Sequence, residues 1–269
     1  MTRATTRLLV AALLIAAPAA AEPPFLTLAS TTSTQDSGLF GDLLPRFEAE
    51  AGIAVRVVAV GTGQALELGR RGDADAVLVH DSAAEEAFLA ERFAESRRDV
   101  MWNDFLMVGP AADPAGVRGM ADVAAALAKI AAARAPFASR ADDSGTHKAE
   151  LRLWQAAGVD PRAASGAWYR ETGSGMGATL NTAAELGAYL LADRASWVAF
   201  RNKRELAALV EGDARLRNPY GILVVNPAKH PHAKVELARR FTEWLTSDAG
   251  RAAIDGFHVD GVQLFHSER

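Results

Sequence analysis

The sequence contains no cysteine, which excludes disulfide bonds, thiolate metal ligands and cysteine nucleophiles. It also lacks a basic excess, because 29 Lys and Arg residues stand against 33 Asp and Glu residues. The arginines are scattered along the chain, so the charge pattern does not indicate a nucleic-acid-binding surface. No apolar run reaches the about 20 residues that a membrane-spanning helix requires. Any anion site must therefore be positive only locally.

The first 21 residues have the pattern of a secretory signal peptide. Arg3 and Arg7 form a charged start, residues 8–17 an apolar stretch, and Ala19–Ala21 a small-residue cleavage site. Removing these 21 residues, two of which are basic, from the 269 leaves 248 residues with a net charge of about −6. Export without disulfides is typical of a bacterial periplasm, so we expect a periplasmic protein.

Short apolar segments alternate with helical patterns along the rest of the chain, which predicts an α/β fold with a largely parallel sheet. Pro45 lies inside one helical pattern, where we expect it to kink or restart the helix. The strand candidates are residues 25–29, 55–60, 76–79, 104–108, 137–139, 197–200 and 222–225, and the helix candidates are 38–51, 64–70, 83–91, 120–134, 148–157 and 183–191.

Glycine and proline residues interrupt the chain at two places that suggest crossings between domains. The first is Val108-Gly109-Pro110 with Asp113-Pro114, and the second is Asn218-Pro219-Tyr220-Gly221. They divide the chain into residues 22–108 with 222–269 as one lobe and residues 109–221 as the other. We therefore expect two hinged α/β lobes with a ligand cleft between them.

Four loops rich in Gly, Ser and Thr stand where a strand candidate ends and a helical pattern begins. The first turn of a helix has free N–H groups and a partial positive charge of about +0.5, and these groups bind anions. Such residues are also ordinary helix N-caps, which explains any one of the loops taken alone. Four of them, with Arg140, favour a site for a small dianion at the carboxyl ends of the strands. The loops are residues 30–33, 61–63, 139–146 and 172–177.

Several of these segments resemble the tungstate-binding protein family, the solute receptors of tungstate ABC importers, and the likeness runs through essentially the whole mature chain. The family usually has Thr where this chain has Ser30, and Gly where this chain has Ala141. The segments are STTSTQDSGL (30–39), VGTGQALELGRRGDADA (60–76), LVHD (78–81), NDF (103–105), SRADDSGTHK (139–148) and GMGATLN (175–181).

The resemblance implies a two-lobed periplasmic-binding-protein fold of type II that closes on the oxyanion. It further implies a monomer without enzymatic activity or cofactor that docks on an ABC permease and ATPase. Asp142 and Asp143 are expected to orient Arg140 or to cap the helix, since a carboxylate repels an oxyanion. The implied ligand contacts are Ser30, Thr31, Thr32, Ser33, Thr62, Arg140, Ser144, Gly145, Thr146, Gly175, Met176 and Gly177.

Some features of the sequence could indicate other functions. Asp143, Ser144 and His147 could suggest a hydrolase, but they lie in one short segment, whereas triad residues normally come from separate segments. His230 and His232 lack an obvious third metal ligand. A molybdate- or phosphate-type receptor stays open, as does an oxyanion-sensing module without transport. The sequence does not separate tungstate from molybdate, because the two ions nearly coincide in size and charge.

Overall fold

The computed structural model describes residues 23–269, so the predicted signal peptide lies outside the described part of the chain. The strands are β1 (Phe25–Thr31), β2 (Ala54–Val60), β3 (Ala76–Val79), β4 (Ala94–Pro110), β5 (Phe137–Ser139), β6 (Tyr169–Glu171), β7 (Leu190–Asp193), β8 (Leu206–Val210), β9 (Arg217–Val225), β10 (His258–Val259), β11 (Val262–Gln263) and β12 (His266–Ser267). The helices are α1 (Thr32–Asp36), α2 (Leu39–Ala51), α3 (Thr62–Arg71), α4 (Ser82–Ala90), α5 (Val123–Ala132), α6 (Gly145–Ala156), α7 (Met176–Leu186), α8 (Arg194–Ala199), α9 (Val235–Leu245) and α10 (Asp248–Asp255).

The main sheet is mixed. Its strands follow the order β12-β4-β9-β3-β1-β2, and β7 and β8 also pair with β4. Strand β1 is parallel to both β2 and β3, whereas β9 is antiparallel to β3 and β4. The α/β class is confirmed. The prediction of a largely parallel sheet is wrong, because long antiparallel strands carry the chain through the middle of the molecule.

Strand β4 is the longest of these strands and passes between two groups of core residues. Its residues 94–104 pair with β9, and its residues 105–110 pair with β7 and β8. Met101 belongs to the core around Phe47 and Phe241, whereas Phe105 belongs to the core around Trp154. Strand β4 therefore passes from one hydrophobic core to the other, and each core belongs to one of two lobes. The predicted lobe boundaries, 22–108 with 222–269 and 109–221, stay a prediction.

Two of the predicted elements near the second lobe's edge are wrong. Residues 197–200, predicted as a strand, belong mostly to helix α8, which begins where the Asp193 side chain accepts the Ser196 N–H at 2.8 Å. The predicted helix 183–191 ends early, since α7 stops at Gly187 in a left-handed conformation and β7 follows. In both places the apolar pattern fits either a helix or a strand, and a cap residue, Asp193 or Gly187, sets where the helix begins or ends.

Helix α2 continues through Pro45 without interruption, so the expected restart is wrong. Its apolar residues Leu39, Phe40, Leu43 and Phe47 are buried together, and this shared face holds the helix against the sheet in spite of the missing N–H. Within residues 23–269 no helix has the length and apolar character needed to cross a membrane.

Candidate functional site

A cleft of about 330 Å³ lies between the lobes, at the ends of β1, β2, β3 and β5. One wall comes from the first lobe and the other from the loop after β5. Most of the lining side chains are small and polar, and several are also the first residues of helices. The lining residues are Thr31, Thr32, Ser33, Val60, Gly61, Thr62, Gly63, Gln64, His80, Arg140, Asp142, Asp143, Ser144, Gly145 and Thr146.

The hydroxyl run that opens helix α1 lines one side of the cleft. The Thr31 side chain caps α1 by accepting the Thr34 N–H at 3.3 Å, and its Oγ1 lies 3.1 Å from Ser33 Oγ. Thr32 is exposed and Ser33 is half-buried. Ser30 differs from these, because it is buried and donates its hydroxyl to the Leu78 carbonyl at 2.8 Å. It ties β1 to β3 and does not line the cleft.

The loop between β2 and α3 supplies a second helix start. Gly61 is the N-cap in extended conformation, and the Gln64 side chain accepts its N–H at 3.4 Å. Thr62, the first residue of α3, is 4% exposed and lines the cleft. The free N–H groups of this first turn are therefore at the cleft, together with one threonine hydroxyl.

The loop from Ser139 to Thr146 forms the opposite wall. Ala141 and Asp143 have left-handed backbones, with φ of 48° and 58°, and so fold the loop back on itself. Ser144 is the N-cap of α6, and its Oγ accepts the His147 N–H at 3.3 Å. This turn places the start of α6, Gly145 and Thr146, against the cleft.

Arg140 is paired with Asp142 inside this wall. The guanidinium Nε and Nη2 lie 3.0 and 2.5 Å from Asp142 Oδ2, and Asp142 Oδ1 accepts the Ser144 N–H at 3.2 Å. Burial alone would raise the pKa of Asp142, but the Ser144 hydrogen bonds and the Arg140 charge hold the pKa below its ordinary value. Asp142 is therefore a carboxylate that orients Arg140 and also neutralises it.

The buried carboxyl group of Glu150 holds the end of β5, where the Arg140 loop begins. Glu150 is 2% exposed, and it accepts hydrogen bonds from Ser139 Oγ at 2.9 Å, Tyr169 OH at 2.7 Å and Trp154 Nε1 at 3.2 Å. Burial raises the pKa of Glu150 to about 7, against the effect of these three donors. The contact with Ser139 fixes the end of β5, immediately before Arg140.

The loop before helix α7 lies behind Arg140. Thr172 and Ser174 donate their backbone N–H groups to the carbonyls of Ser139 and Arg140, at 2.9 and 3.1 Å. Gly175 and Gly177 are exposed, and the Met176 side chain packs in an apolar core cluster. None of Gly175, Met176 and Gly177 lines the cleft described above, so their contact with a ligand stays a prediction.

His80 also lines the cleft, and it is not among the ligand contacts expected from the sequence. It follows strand β3 directly, and its Nε2 lies 3.4 Å from Ser33 Oγ. From the other lobe Gly145 approaches so closely that a Cβ there would lie 2.8 Å from His80 Cε1. One feature of the sequence could have indicated this position. His80 directly follows an apolar strand candidate, and ligands of α/β proteins bind at the carboxyl ends of such strands.

The contacts of Ser144 and His147 are those of a helix cap. Ser144 Oγ accepts a backbone N–H from His147, and His147 Nδ1 accepts one from Asp143 at 3.2 Å. A nucleophile and its base require side-chain contact between hydroxyl and imidazole instead. No group of three or more His, Asp or Glu residues in the described part of the chain could hold a metal ion.

Comparison with known proteins agrees with this architecture. Residues 17–249 match a family model described as a PBP superfamily domain. The tungstate-binding protein TupA of Peptoclostridium acidaminophilum is 45% identical over 244 residues, which cover 89% of this chain and 84% of that protein. Both chains therefore align over most of their length.

Two solved structures of similar proteins also superpose on nearly the whole fold. The tungstate-binding protein TupA from Desulfovibrio alaskensis G20 has 46% identity and a TM-score of 0.85, covering 91% of this chain and 99% of that one. The tungstate ABC transporter structure from Geobacter sulfurreducens has 47% identity and a TM-score of 0.78, covering 87% and 98%. This chain belongs to the tungstate-binding protein family of the PBP superfamily.

Proposed function

We propose that this protein captures tungstate, and with it molybdate, as the solute receptor of an ABC importer. One observation carries the proposal: donors from both lobes meet in a single cleft between them. They are the hydroxyl run at 31–33, Thr62 with the start of α3, and Arg140 with the start of α6 at 144–146. A tetrahedral oxyanion accepts many hydrogen bonds, and it needs nearly all of them when it leaves water.

The expected mechanism is capture without chemical change. The lobes close around the ion, and hydroxyl and N–H groups replace its hydration shell. Helix starts bring only partial positive charge, and Arg140 is neutralised by Asp142. Hydrogen bonding therefore contributes more to ion binding than net charge does.

The proposed location and partners follow from the same role. The predicted signal peptide, residues 1–21, would direct the protein to the periplasm. There the ligand-bound form would dock on a membrane permease that is driven by an ATPase. The relatives named above, a tungstate-binding protein and a tungstate ABC transporter structure, support this assignment.

The cleft also bears on selectivity among oxyanions. A cleft lined only by donors would exclude phosphate, which keeps a proton near neutral pH and so needs an acceptor. The lining of this cleft also includes acceptors, among them the Asp142 and Asp143 carboxylates and the His80 ring. Asp142 is already engaged by Arg140 and Ser144, which leaves it less able to accept from a phosphate hydroxyl.

Calorimetric titration of the purified protein tests the proposal. We expect tight binding of tungstate and molybdate and much weaker binding of sulfate and phosphate. Arg140→Ala should weaken tungstate binding by about 100-fold, since a charge-assisted contact contributes up to about 3 kcal/mol. Arg162→Ala, which removes an exposed arginine that pairs with Asp160, is the matched control. Binding of phosphate alone, or of none of the four ions, would contradict the assignment.

A further inference from the structure

His80 lines the cleft where the two lobes meet, between Ser33 and Gly145. It is 6% exposed, with Nε2 3.4 Å from Ser33 Oγ in the first lobe. Its Cε1 faces Gly145 of the second lobe, where there is no room for a Cβ. The imidazole is therefore in position to contact both the hydroxyl run and an ion held between the lobes.

The other ring nitrogen of His80 is held by Asn218 of strand β9. Nδ1 lies 3.1 Å from Asn218 Oδ1, and the Asn218 amide nitrogen donates to Asn103 Oδ1 at 2.7 Å. Because Asn218 uses its N–H group on Asn103, its oxygen faces His80 and accepts the Nδ1 proton. The neutral ring then has its lone pair on Nε2, directed at Ser33 and the cleft.

The net effect of the groups around His80 is to hold its pKa below the ordinary value. Burial lowers its pKa, and the hydrogen bond to Asn218 raises it, as do the charges of Asp193 and Asp81. Arg140, across the cleft, lowers it. The ring also lies 4.7 Å from the uncharged Tyr220 ring, and its contacts with α1 and α6 are to Ser33 and Gly145.

A dianion would bring more negative charge than the cleft balances. Arg140 is offset by Asp142 at 2.5 Å, and Lys148 lies 3.7 Å from Asp143, so the formal charges of this wall cancel. Closing the lobes over a dianion excludes water, which strengthens its field at His80. Ser33 also cannot donate its one proton both to Nε2 and to the ion.

We propose, building on the function proposed above, that the oxyanion binds together with one proton, which is taken up by His80 Nε2. The proton comes from a buffer acid or hydronium in solution and bonds to the Nε2 lone pair, leaving the conjugate base behind. His80 then carries a positive charge beside the ion and becomes a donor. The Ser33 hydroxyl, released from Nε2, donates to the ion instead.

Proton uptake is measured by titrating tungstate at pH 8 in two buffers of different ionisation enthalpy. The difference in heat between the buffers gives the number of protons bound. We expect about one proton in the wild type, and an association constant that falls by about tenfold per pH unit on the alkaline side. His80→Asn, whose amide still reaches Asn218, should bind at least about tenfold more weakly at pH 7 and take up no proton. His80→Gln should behave alike.

The control is His258→Asn, an exposed histidine outside the cleft, for which proton uptake should match the wild type. Tungstate binding without proton uptake in the wild type would overturn the proposal. Uptake that persists in His80→Asn would overturn it as well. If no oxyanion binds the wild type, the proposed function fails instead.

A spectroscopic measurement on the wild-type protein avoids any dependence on the folding of the variants. The ¹⁵N shifts of the His80 ring should show the Nδ1–H neutral form without tungstate and imidazolium with it. A ring that stays neutral in the tungstate complex would contradict the proposal.

Discussion

The Arg140 guanidinium donates two hydrogen bonds to a single oxygen of Asp142, from Nε at 3.0 Å and from Nη2 at 2.5 Å. Among the residues that the structure describes, Arg140 is the only Lys or Arg in the lining of the cleft, and it is already paired with Asp142. This pairing holds the fork in one orientation, and it also reduces the attraction between the cleft and an anion. Asp142 thus has two opposing effects on ligand binding.

These two effects can be separated by substitution. Asp142→Asn should bind tungstate more tightly, by about tenfold, because it removes a negative charge near the ion. The amide oxygen can still accept the Ser144 N–H that Asp142 accepts at 3.2 Å. Asp142→Ala removes charge and loop support together and should bind more weakly than Asp142→Asn. Titration calorimetry of the three proteins decides this, and an Asn variant weaker than the Ala variant would contradict it.

Gly145 allows the two lobes to approach each other at His80. A Cβ at this position would lie 2.8 Å from His80 Cε1 and 3.1 Å from Nδ1. Gly145→Ala should therefore weaken tungstate binding by at least about tenfold, since overpacking typically costs about 1–3 kcal/mol. Affinity is measured by titration, with stability followed by urea unfolding.

Gly41→Ala is the matched control for this substitution. Gly41 lies in helix α2 with open space around its Cβ position. We expect unchanged affinity and a gain in unfolding free energy of about 0.5–1 kcal/mol. Equal tungstate affinities for the two alanine variants would show that lobe contact at His80 has no part in binding.

The sequence predicts the loops of the site better than the architecture that carries them. Gly61, Thr62 and Ser144 are recognisable because caps and hydroxyls at helix starts have a local signature. Only residues 104–108 of strand β4 are predicted from the sequence. The first half of the strand contains charged residues such as Arg97 and Arg98, so it does not show the alternation of apolar and polar residues that indicates a strand. The crossing strands depend on pairing between distant segments, which local patterns do not encode.

The pairing of side chains within the site was also only partly predictable. Charge alone predicts that Asp142 and Asp143 orient Arg140 or cap the helix, whereas it gives no indication of the place of His80. His80 reaches the cleft only because β3 lies beside β1, and Asn218 reaches His80 only through β9. Both relations are properties of the sheet topology.

Ala141 occupies a backbone conformation that suits glycine better. Its φ of 48° is left-handed, which costs a residue with a Cβ about 1–2 kcal/mol. Ala141→Gly should therefore raise the unfolding free energy by about 1 kcal/mol, once the greater freedom of the unfolded glycine chain is included. Ala125→Gly, at an exposed position inside helix α5, should lower it by about 1 kcal/mol. A loss of stability in both variants, by urea unfolding, would contradict this account of the loop.

Glu150 makes stability depend on pH. Its pKa is raised by burial from 4.5 to about 7, so the folded protein holds the proton more tightly than the unfolded chain. This contribution is complete below pH 4.5 and is lost as the pH rises through about 7. Its size is on the order of 3 kcal/mol. Glu150→Gln, which cannot ionise, should lose less stability between pH 5 and pH 8 than the wild type.

Urea unfolding at several pH values measures this difference. Glu85, also buried and with its pKa raised to about 7 by burial against the effect of Arg97, retains its own contribution in the variant. The slope of the unfolding free energy against pH should therefore be smaller in Glu150→Gln than in the wild type, but not zero. Glu86→Gln, on the exposed side of helix α4, should leave the slope unchanged. An identical slope for Glu150→Gln and the wild type would rule out this role of the buried carboxyl.

Anomalous diffraction at a tungsten absorption edge, from crystals grown with tungstate, tests the convergence of both lobes on one ion most directly. We expect one tungsten peak in the cleft, within hydrogen-bonding reach of the 31–33 run, Thr62 and the 140–146 loop. A peak that contacts one lobe alone, or lies outside the cleft, would contradict the account.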